Sequence, residues 1–342
     1  MKIAIDCRYL GGSGIGRFLK GILANLDFNK NEYYLIGKEK DIKDYPAKKL
    51  LFNDSSAFSI KGILKINKEV NECDIFFSPN FIIPYNVKIK CITVLHDIVF
   101  LDMPKINANY IEFKLKKHLL KRCMKKSSHV FTVSNFSKER ISYYFKKYET
   151  KLSYAYTGVD TVFKKYEKEE ALEKENYIIY IGNIKENKGL KTLLEAFKKL
   201  KISNSDLFLY LIGDKDSLKN KDESLTPYFD LEGIKFTGKI SDEELLNLER
   251  KAKFLIQPSL YEGFGLPPLE ALYLKTKPII SDIDVFKEIY SDLDVDFFKV
   301  NDSDDLVMKI KNSNPVVNPD FEYMNKKFNI LNFARIIEEE FN

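Results

Sequence analysis

The segment SLYEGFGLPPLEAL at residues 259–272 holds two glutamates, Glu262 and Glu270, on either side of a bend rich in glycine and proline. It follows the apolar run FLIQPS (254–259), which predicts a strand, and Pro267–Pro268 predict the start of a helix. We therefore expect Glu262 in the loop and Glu270 in the first turn of that helix. Ionised carboxylates only accept hydrogen bonds, and they can bind two neighbouring hydroxyls of a hexose or a ribose. A surface ion pair is the alternative role for either glutamate.

A lysine-containing loop offers the complementary chemistry. In YIGNIKENKGLKTLLEAF (180–197) an apolar strand ends at Gly182, Lys185 and Lys188 follow, and an amphipathic helix begins near Gly189. An ammonium group beside a helix N-terminus combines positive charge with backbone N–H donors, which is a usual way of holding a diphosphate. A solvated lysine loop is the alternative interpretation.

The first predicted strand leads into a glycine-rich loop, DCRYLGGSGIGRF (6–18), whose glycines are Gly11, Gly12, Gly14 and Gly16. Glycine lets the backbone approach a ligand closely, and the helix that follows would direct its first amides at an anion. The loop is not a dinucleotide fingerprint, because Arg17 stands at the last glycine position when G-x-G-x-x-G is read from Gly12, and it has no G-K-[ST]. A phosphate site is the functional interpretation, and a structural strand-to-helix turn is the alternative.

The run CITVLHDIV (91–99) places His96 and Asp97 at the end of another predicted strand. An imidazole in that position can hydrogen-bond a sugar hydroxyl or assist proton transfer. A packing role is the alternative, and His118 and His129 have no comparable setting.

These motifs stand on a regular alternation of strand and helix patterns. The predicted strands are 2–6, 33–37, 75–78, 91–96, 129–134, 177–183, 207–213, 234–238, 254–259 and 277–281. The predicted helices are 15–26, 61–70, 107–126, 136–147, 189–201, 241–251 and 267–274. Alternation of this kind is typical of parallel sheets covered by helices, in which ligands bind at the carboxyl ends of the strands. All four motifs lie at such ends.

The length of 342 residues suits two domains. We predict an α/β chain of two Rossmann-like, doubly wound domains, 1–165 and 166–324, with a charged linker at 163–176. A C-terminal helix at about 325–342 is expected to pack back on the first domain. Four scattered cysteines suggest neither disulfides nor a zinc cluster.

Charge is distributed unevenly between the halves. Residues 1–165 contain 30 lysines and arginines and 16 aspartates and glutamates, a net charge of 30 − 16 = +14. Residues 166–342 contain 25 and 34, a net charge of 25 − 34 = −9. The densest basic stretch, KLKKHLLKRCMKK (114–126), has apolar residues at helical spacing, so it could lie on an anionic membrane surface. A solvated face of a packed helix is the equal alternative, and nucleic acid is a weaker one, since no binding motif accompanies the charge.

No apolar run reaches the roughly 20 residues of a membrane span. The N-terminal MKIAIDCRYL has the pattern of a strand and not of a signal peptide. We therefore expect a cytoplasmic protein, with attachment to the inner face of the cytoplasmic membrane as an option.

Taken together, the motifs resemble family 4 of the glycosyltransferases, which have the GT-B fold of two Rossmann-like domains facing a cleft. The matching segments, in order, are IDCRYLGGSGIGRF, VLHD, TVSNFS, GVD (158–160), GNIKENKGLKTLLEAF, GKISDEEL and PSLYEGFGLPPLEAL. The resemblance covers nearly the whole chain, and the last segment is its most specific part. It implies that 1–165 is the acceptor-side domain and that 166–324 binds the nucleotide sugar.

The resemblance implies a metal-independent enzyme without a cofactor that moves a hexose from a nucleotide-diphosphate donor, with retention at the anomeric carbon. By family pattern Lys188 neutralises the diphosphate, Glu262 holds the hexose and Glu270 the ribose. His96 faces the transferred sugar, so the implied catalytic residues are His96, Lys188 and Glu262. The implied donor-binding residues are Gly14, Gly16, Arg17, Asn183, Lys188, Gly238, Lys239, Glu262, Gly263, Phe264, Gly265, Leu266 and Glu270.

Two departures from the family pattern stand out. Many members have an arginine near Asn183, so Lys188 alone, or Arg17, would carry the charge on the diphosphate here. The chain also has LKTKP (274–278) where the family usually has a turn of small residues.

The pattern looks closest to bacterial mannosyltransferases of surface-polysaccharide assembly, so we expect GDP-mannose first, a UDP-sugar second, and a glycan or polyprenyl-linked acceptor. We expect the leaving phosphate to deprotonate the incoming hydroxyl. One alternative is a metal-dependent transferase using Asp282 and Asp284 of SDIDV as a DxD motif. Others are a non-catalytic nucleotide-sugar binder and an enzyme of the phosphorylase type, although no pyridoxal-phosphate lysine signature is present.

Overall fold

Parallel strands and covering helices alternate through both halves of the chain in the computed structural model, which describes residues 1–11, 14–213 and 225–341. The chain divides into two compact units. Unit 1 comprises Met1–Gly158 with Lys327–Asn342, and unit 2 comprises Val159–Lys326. The division falls a few residues before the position 165–166 that the sequence suggested. The charged segment 163–176 lies within unit 2 and contributes a short helix to it.

Unit 1 is built on a seven-stranded parallel sheet with the order β3-β2-β1-β4-β5-β6-β7. Its central strands are continuous apolar runs buried on both faces, as expected where helices cover both sides. The strands are β1 Lys2–Asp6, β2 Glu32–Gly37, β3 Lys49–Phe52, β4 Ile75–Ser78, β5 Lys90–Leu95, β6 Ser127–Thr132 and β7 Leu152–Tyr154.

The helices of unit 1 connect these strands, and the last one returns from the C-terminus. They are α1 Gly14–Leu23, α2 Glu39–Ile42, α3 Ile60–Leu64, α4 Val99–Asp102, α5 Tyr110–Lys126 and α6 Asn135–Tyr144, with α15 Ile330–Phe341 at the end of the chain. Helix α15 packs on α1, where Gly21 leaves room for Ile330 because a Cβ at that glycine would lie 2.9 Å from Ile330 Cγ1. The Tyr33 hydroxyl donates a hydrogen bond to Glu338 Oε1 at 2.8 Å and ties α15 to β2.

Unit 2 contains a six-stranded parallel sheet with the order β10-β9-β8-β11-β12-β13. Its strands are β8 Glu175–Tyr180, β9 Phe208–Leu211, β10 Ile234–Phe236, β11 Ala252–Gln257, β12 Lys277–Ser281 and β13 Asp296–Phe298. Its helices are α7 Thr161–Lys164, α8 Leu190–Ser203, α9 Thr226–Phe229, α10 Asp242–Lys251, α11 Leu266–Tyr273, α12 Asp284–Tyr290, α13 Ser303–Asn312 and α14 Phe321–Lys327.

The sequence predictions differ from the structure in several local respects. The strands β3, β7 and β13 and the helices α2, α4, α7, α9, α12 and α13 were not predicted. The predicted helix at 61–70 is α3 followed by a separate 3₁₀ turn, Lys68–Glu72. Helix α11 begins at Leu266, with Gly265 as its N-cap, so Glu270 lies in the second turn and not in the first.

Within the described ranges, no helix is both long enough and apolar enough to cross a bilayer.

Candidate active site

An ion pair joins the two loops that the sequence singled out. Lys188 Nζ donates to Glu262 Oε1 at 2.6 Å. The side chains keep only 22% and 10% of their surface exposed, so the pair is largely shielded from water. Lys188 ends the 3₁₀ turn Glu186–Lys188 after β8, and Glu262 follows β11, the strand paired with β8. Lys188 and Glu262 therefore meet at the carboxyl edge of the second sheet, where both were predicted to lie.

Two buried polar residues, Gln257 at the end of β11 and Ser259 just after it, fix the carboxylate of Glu262. Ser259 Oγ donates to Glu262 Oε1 at 2.9 Å, and Gln257 Nε2 lies 3.4 Å from the same oxygen and 3.0 Å from Ser259 Oγ. Gln257 and Ser259 are 1% and 0% exposed. Charge-assisted hydrogen bonds of this kind hold a carboxylate in one orientation. Neither residue was predicted from the sequence as part of the site, although both belong to the FLIQPS run (254–259).

The backbone brings the two loops together. Asn187 Nδ2 donates to the Tyr261 carbonyl at 3.1 Å, and the Leu260 N–H donates to the Asn187 carbonyl at 2.8 Å. Gly189 is in the left-handed region at φ 62°, and a Cβ on it would lie 1.9 Å from the Pro258 carbonyl oxygen. Only glycine fits such an approach, so the sequence places Lys188 beside Glu262 through Gly189.

The bend between Glu262 and α11 packs against Phe286. Gly265 has φ 83° and ψ 78°, and a Cβ there would lie 2.4 Å from Phe286 Cε1. Pro267 and Pro268 occupy the first turn of α11, and Glu270 follows in the second turn with 4% of its surface exposed.

The two glutamates share a neighbour that the sequence analysis missed. Burial raises the pKa of the Tyr290 phenol well above its ordinary value, and the negative charges of Glu270 and Glu262 raise it further. The Tyr290 hydroxyl, which is bonded to the Gly265 carbonyl of the bend, is thus subject to the negative charge of both carboxylates. The pKa of Tyr180, on β8, is raised by burial and then by Glu262.

The remaining predicted residues of unit 2 lie at the same edge of the sheet. Asn183 follows β8, and its carbonyl accepts a hydrogen bond from the Tyr180 hydroxyl at 3.0 Å. Gly238 and Lys239 follow the edge strand β10, two strands away from β8. Gly238 has φ 65°, and its N–H donates to the Gly213 carbonyl at 2.9 Å. Gly263 and Phe264 lie in the bend between Glu262 and the N-cap Gly265, and Leu266 is the first residue of α11.

In unit 1 the predicted glycine loop and His96 are neighbours. Gly14 begins α1, Gly16 is buried and Arg17 is exposed in its first turn. The Phe18 ring, on the same helix, packs edge-on against the His96 ring with centroids 4.9 Å apart. Gly12 and Ser13 lie outside the described residues.

His96 is held as a neutral imidazole. Its Nε2 lies 3.1 Å from the Pro79 carbonyl oxygen, which can only accept, so Nε2 carries the proton and Nδ1 is left as an acceptor. Burial lowers the pKa of His96 to about 4, although the bond to Pro79 acts in the opposite direction. At neutral pH the ring can therefore accept a hydrogen bond from a hydroxyl, but it brings no positive charge.

The lowered pKa of His96 predicts a loss of stability in acid. The ordinary pKa of histidine is about 6.5, so below that pH His96 binds a proton in the unfolded chain, whereas in the folded chain it does so only near pH 4. Between pH 7.5 and pH 4.5 the free energy of unfolding of the wild type should fall by about 2–3 kcal/mol more than that of His96→Gln. Urea unfolding of both proteins at both pH values measures this. Equal losses in the two proteins would contradict a neutral His96.

Asp282 of the alternative DxD motif makes contacts within the protein. Asp282 accepts a hydrogen bond from the Val300 N–H at 2.9 Å and lies 3.3 Å from Lys287 Nζ. Burial raises the pKa of Asp282, but these contacts outweigh it and the net pKa is lowered. Asp284 is the first residue of α12. Among residues 1–11, 14–213 and 225–341, no three His, Cys, Asp or Glu side chains are grouped to hold a metal.

A cavity of about 610 Å³ lies beside the N-terminus of α8. Its lining includes Lys185, Lys191 and Asn301, whereas Lys188, Glu262 and Glu270 are not among the described residues that line it. The cavity adjoins the two loops through Gly189 and Leu260, and it is the competing location for a ligand.

Solved structures define the class of fold. The chain superposes over its whole length on Anabaena HepE, solved in complex with UDP and glucose, with a TM-score of 0.72, 15% identity and coverage of 100% of this chain and 99% of that one. Sucrose-phosphate synthase from Thermosynechococcus elongatus gives a TM-score of 0.72 at 14% identity, covering 99% of both chains. The two parallel sheets with their helices therefore constitute the GT-B fold of glycosyltransferases.

The family match is more specific. Residues 162–313 match the family model of glycosyl transferases group 1, so this part of the chain is a group 1 glycosyltransferase domain. The O-antigen chain mannosyltransferase RfbU of Salmonella typhimurium is 31% identical over 184 residues, 53% of this chain and 50% of the relative. O-antigen chain mannosyltransferase B of Escherichia coli is 28% identical over 236 residues, 64% and 59%. The chain thus spans about half the length of the curated relatives it matches.

Proposed function

We propose that the chain is a retaining hexosyltransferase that moves mannose from GDP-mannose to a glycan or lipid-linked acceptor in the assembly of a surface polysaccharide. The observation that carries this proposal is the shielded pair of Lys188 Nζ and Glu262 Oε1, 2.6 Å apart, at the carboxyl edge of the second sheet, with Glu270 in the helix that follows the bend. The mannosyltransferase names of the relatives support the choice of sugar.

Lys188 provides the charge that the reaction needs. As the sugar leaves, negative charge grows on the diphosphate, and a positioned ammonium group stabilises it more in the transition state than in the ground state. Lys188 is already oriented by Glu262 and by the 3₁₀ turn that carries it, so little reorganisation accompanies the reaction. We propose that no metal is required, and turnover that persists in EDTA would support this.

Glu262 and Glu270 act as hydrogen-bond acceptors for the donor. Glu262 Oε1 already accepts from Lys188 and Ser259, so Oε2 is the oxygen proposed to accept from hexose hydroxyls. Glu270 is proposed to accept from the ribose hydroxyls. His96 is proposed to accept a sugar hydroxyl through Nδ1, since its Nε2–H is bonded to Pro79.

Retention is proposed to follow from attack on the face that the phosphate leaves. The departing phosphate oxygen takes the proton of the incoming hydroxyl, the glycosidic C–O bond to the acceptor forms, and the bond to the diphosphate breaks. Glu262 is proposed not to be a nucleophile, because Lys188, Gln257 and Ser259 hold its Oε1 and its Oε2 is the oxygen proposed to accept from the hexose hydroxyls. Trapping of a covalent glycosyl adduct on Glu262 would overturn this step.

The test of function starts with a thermal-shift panel of GDP-, UDP-, ADP- and dTDP-sugars. A ligand present at about 100 times its Kd adds about 2.7 kcal/mol to the free energy of unfolding. We expect GDP-mannose to give the largest shift, followed by release of GDP in the presence of a polyprenyl-linked acceptor. Stabilisation by none of the four donors would contradict the proposal.

A UDP-sugar is the second donor candidate, because the structural neighbour HepE was solved with UDP and glucose. A larger shift with UDP-glucose than with GDP-mannose would select it. Binding of a donor without turnover of any acceptor would favour the other candidate, a non-catalytic binder of nucleotide sugars.

Attachment to an anionic membrane surface is proposed for helix α5. Leu119, Leu120 and Met124 are buried, whereas Leu115 remains 45% exposed next to a face of lysines. The exposed lysines of that face are Lys114, Lys117, Lys121 and Lys125. Ile111, at the start of the helix, is 78% exposed, so basic and apolar groups are presented together.

Reversing the charge of two of these residues, in Lys117→Glu/Lys121→Glu, should weaken binding to vesicles containing phosphatidylglycerol by about 30-fold or more, since each basic residue contributes about 1 kcal/mol. Vesicle co-sedimentation measures the effect. Lys198→Glu/Lys311→Glu, exposed in unit 2, is the matched control and should change little. Wild-type binding that does not weaken with added salt would contradict an electrostatic attachment.

A further inference from the structure

Helix α12, Asp284–Tyr290, packs against the bend between the two glutamates, and only its first two residues, Asp284 and Val285 of SDIDV, belong to a motif of the sequence. The Phe286 ring fills the space beside Gly265, where a Cβ would lie 2.4 Å from Phe286 Cε1. Tyr290 packs edge-on against Phe286 with ring centroids 5.7 Å apart, and both side chains are 0% exposed. The conformation of the bend is therefore set by two aromatic residues that come later in the chain.

The Tyr290 hydroxyl is bonded to the backbone of the bend. It donates to the Gly265 carbonyl, and it also interacts with the Leu269 N–H in α11. Gly265 is the N-cap of α11. One buried hydroxyl thus joins the cap residue to the helix that it starts.

This contact determines the direction of a backbone donor. The peptide bond between Gly265 and Leu266 is trans, so its C=O and N–H point in opposite directions. Because the Gly265 carbonyl points to the buried Tyr290, the Leu266 N–H points away from α12. Gly265, Leu266 and Pro267 are the partly exposed residues of an otherwise buried stretch, so a ligand can approach this part of the chain.

The prolines make that single donor important. A helix normally offers the N–H groups of its first residues to an anion. In α11 the second and third residues, Pro267 and Pro268, have no N–H, so Leu266 is the only one of the first three residues with a donor.

We propose that Tyr290 is a positioning residue, which orients the Gly265–Leu266 peptide so that the Leu266 N–H binds a phosphate oxygen of the nucleotide donor. This inference rests on the proposed function. Tyr290 itself contacts only the protein, and the flexible, positive-φ Gly265 is the element that it holds in one orientation.

The test compares Tyr290→Phe with Tyr273→Phe. Phenylalanine keeps the ring and removes only the hydroxyl. Tyr273 is the matched control, because it is also 0% exposed and hydrogen-bonded, with its hydroxyl donating to Asn325 Oδ1 at 2.9 Å away from the bend. Calorimetric titration with GDP, UDP, guanosine and uridine measures the affinities.

We expect Tyr290→Phe to lose about 10- to 100-fold in affinity for the nucleoside diphosphate, the size of one charge-assisted hydrogen bond, and to keep its affinity for the nucleoside. Tyr273→Phe should keep both. Equal weakening of diphosphate and nucleoside by Tyr290→Phe would point to general damage and overturn the inference, as would unchanged diphosphate binding.

A second measurement needs no ligand. Amide hydrogen exchange of Leu269 should be at least about tenfold faster in Tyr290→Phe than in the wild type, and unchanged in Tyr273→Phe. Unchanged exchange in Tyr290→Phe would overturn the inference. If the wild type binds neither GDP nor UDP while the exchange result holds, the proposed donor class is wrong and the positioning of the bend by Tyr290 stands.

Discussion

Replacing Lys188 with alanine should lower kcat/KM for the donor by about 10²- to 10³-fold, the usual effect of removing one preorganised group that stabilises transition-state charge. It should also lower the free energy of unfolding by about 2–4 kcal/mol, because Glu262 then keeps a shielded charge without its cation. The Lys188 side chain is 22% exposed, which places the cost toward the lower end for buried pairs. Steady-state kinetics and urea unfolding provide the two readouts.

A double variant separates these two effects. Lys188→Met/Glu262→Gln removes both charges and keeps similar side-chain volumes, so its stability should return to within about 1 kcal/mol of the wild type while its activity stays low. Lys199→Ala is the matched control, because the Lys199–Asp304 pair of unit 2 is exposed, with 41% and 81% of the side chains accessible. It should change stability by less than about 1 kcal/mol and leave activity unchanged. Activity of Lys188→Ala within tenfold of the wild type would contradict the role of Lys188.

Gly189→Ala should be among the most destabilising single substitutions in unit 2. The new Cβ would lie 1.9 Å from the Pro258 carbonyl oxygen, which belongs to the backbone and cannot rotate away, and φ is 62°. The left-handed conformation alone costs about 1–2 kcal/mol. Displacing the loop that carries Lys188 brings the expected loss of unfolding free energy to about 4 kcal/mol or more.

Gly238→Ala isolates the contribution of the backbone angle. Gly238 has φ 65°, close to the 62° of Gly189, but no atom of the described residues lies within 4 Å of the position of a Cβ there. Its substitution should cost only the conformational strain, about 1–2 kcal/mol. Chemical denaturation of both variants measures the difference, and equal losses would show that the approach of Gly189 to Pro258 is not the cause.

The residues predicted from the sequence were those that stand next to a strand end. Lys188 and Glu262 follow adjacent parallel strands, so the rule that ligands bind at carboxyl ends was enough to bring them together. Gln257 and Ser259 were missed because buried polar residues within an apolar run have no periodic signal. Tyr290 was missed because its contact with Gly265 joins positions 25 residues apart.

The fold shows the same division. The central strands were predicted because their apolar runs are continuous, whereas the three strands that were missed are three or four residues long and only partly buried. Two of them, β3 and β7, are the edges of the first sheet and β13 is an edge of the second. An edge strand faces solvent on one side, so its sequence carries a weaker hydrophobic pattern.

The position of Glu270 shows how a cap changes a local prediction. Proline is favoured at the first helical position, which suggested a start at Pro267. Gly265 instead takes a left-handed conformation and caps the helix, so α11 begins at Leu266 and Glu270 moves into the second turn. There it is 4% exposed, and its charge acts on Tyr290 together with that of Glu262.

The most direct test of the central claim, that Lys188, Glu262 and Glu270 bind one nucleotide-linked sugar, is a crystal structure with the nucleoside diphosphate that stabilises the protein most. We expect a phosphate oxygen within hydrogen-bond distance of Lys188 Nζ and ribose hydroxyls at the Glu270 carboxylate. A nucleotide bound in the cavity of about 610 Å³ lined by Lys185, Lys191 and Asn301, without contact to Lys188, Glu262 or Glu270, would contradict the claim.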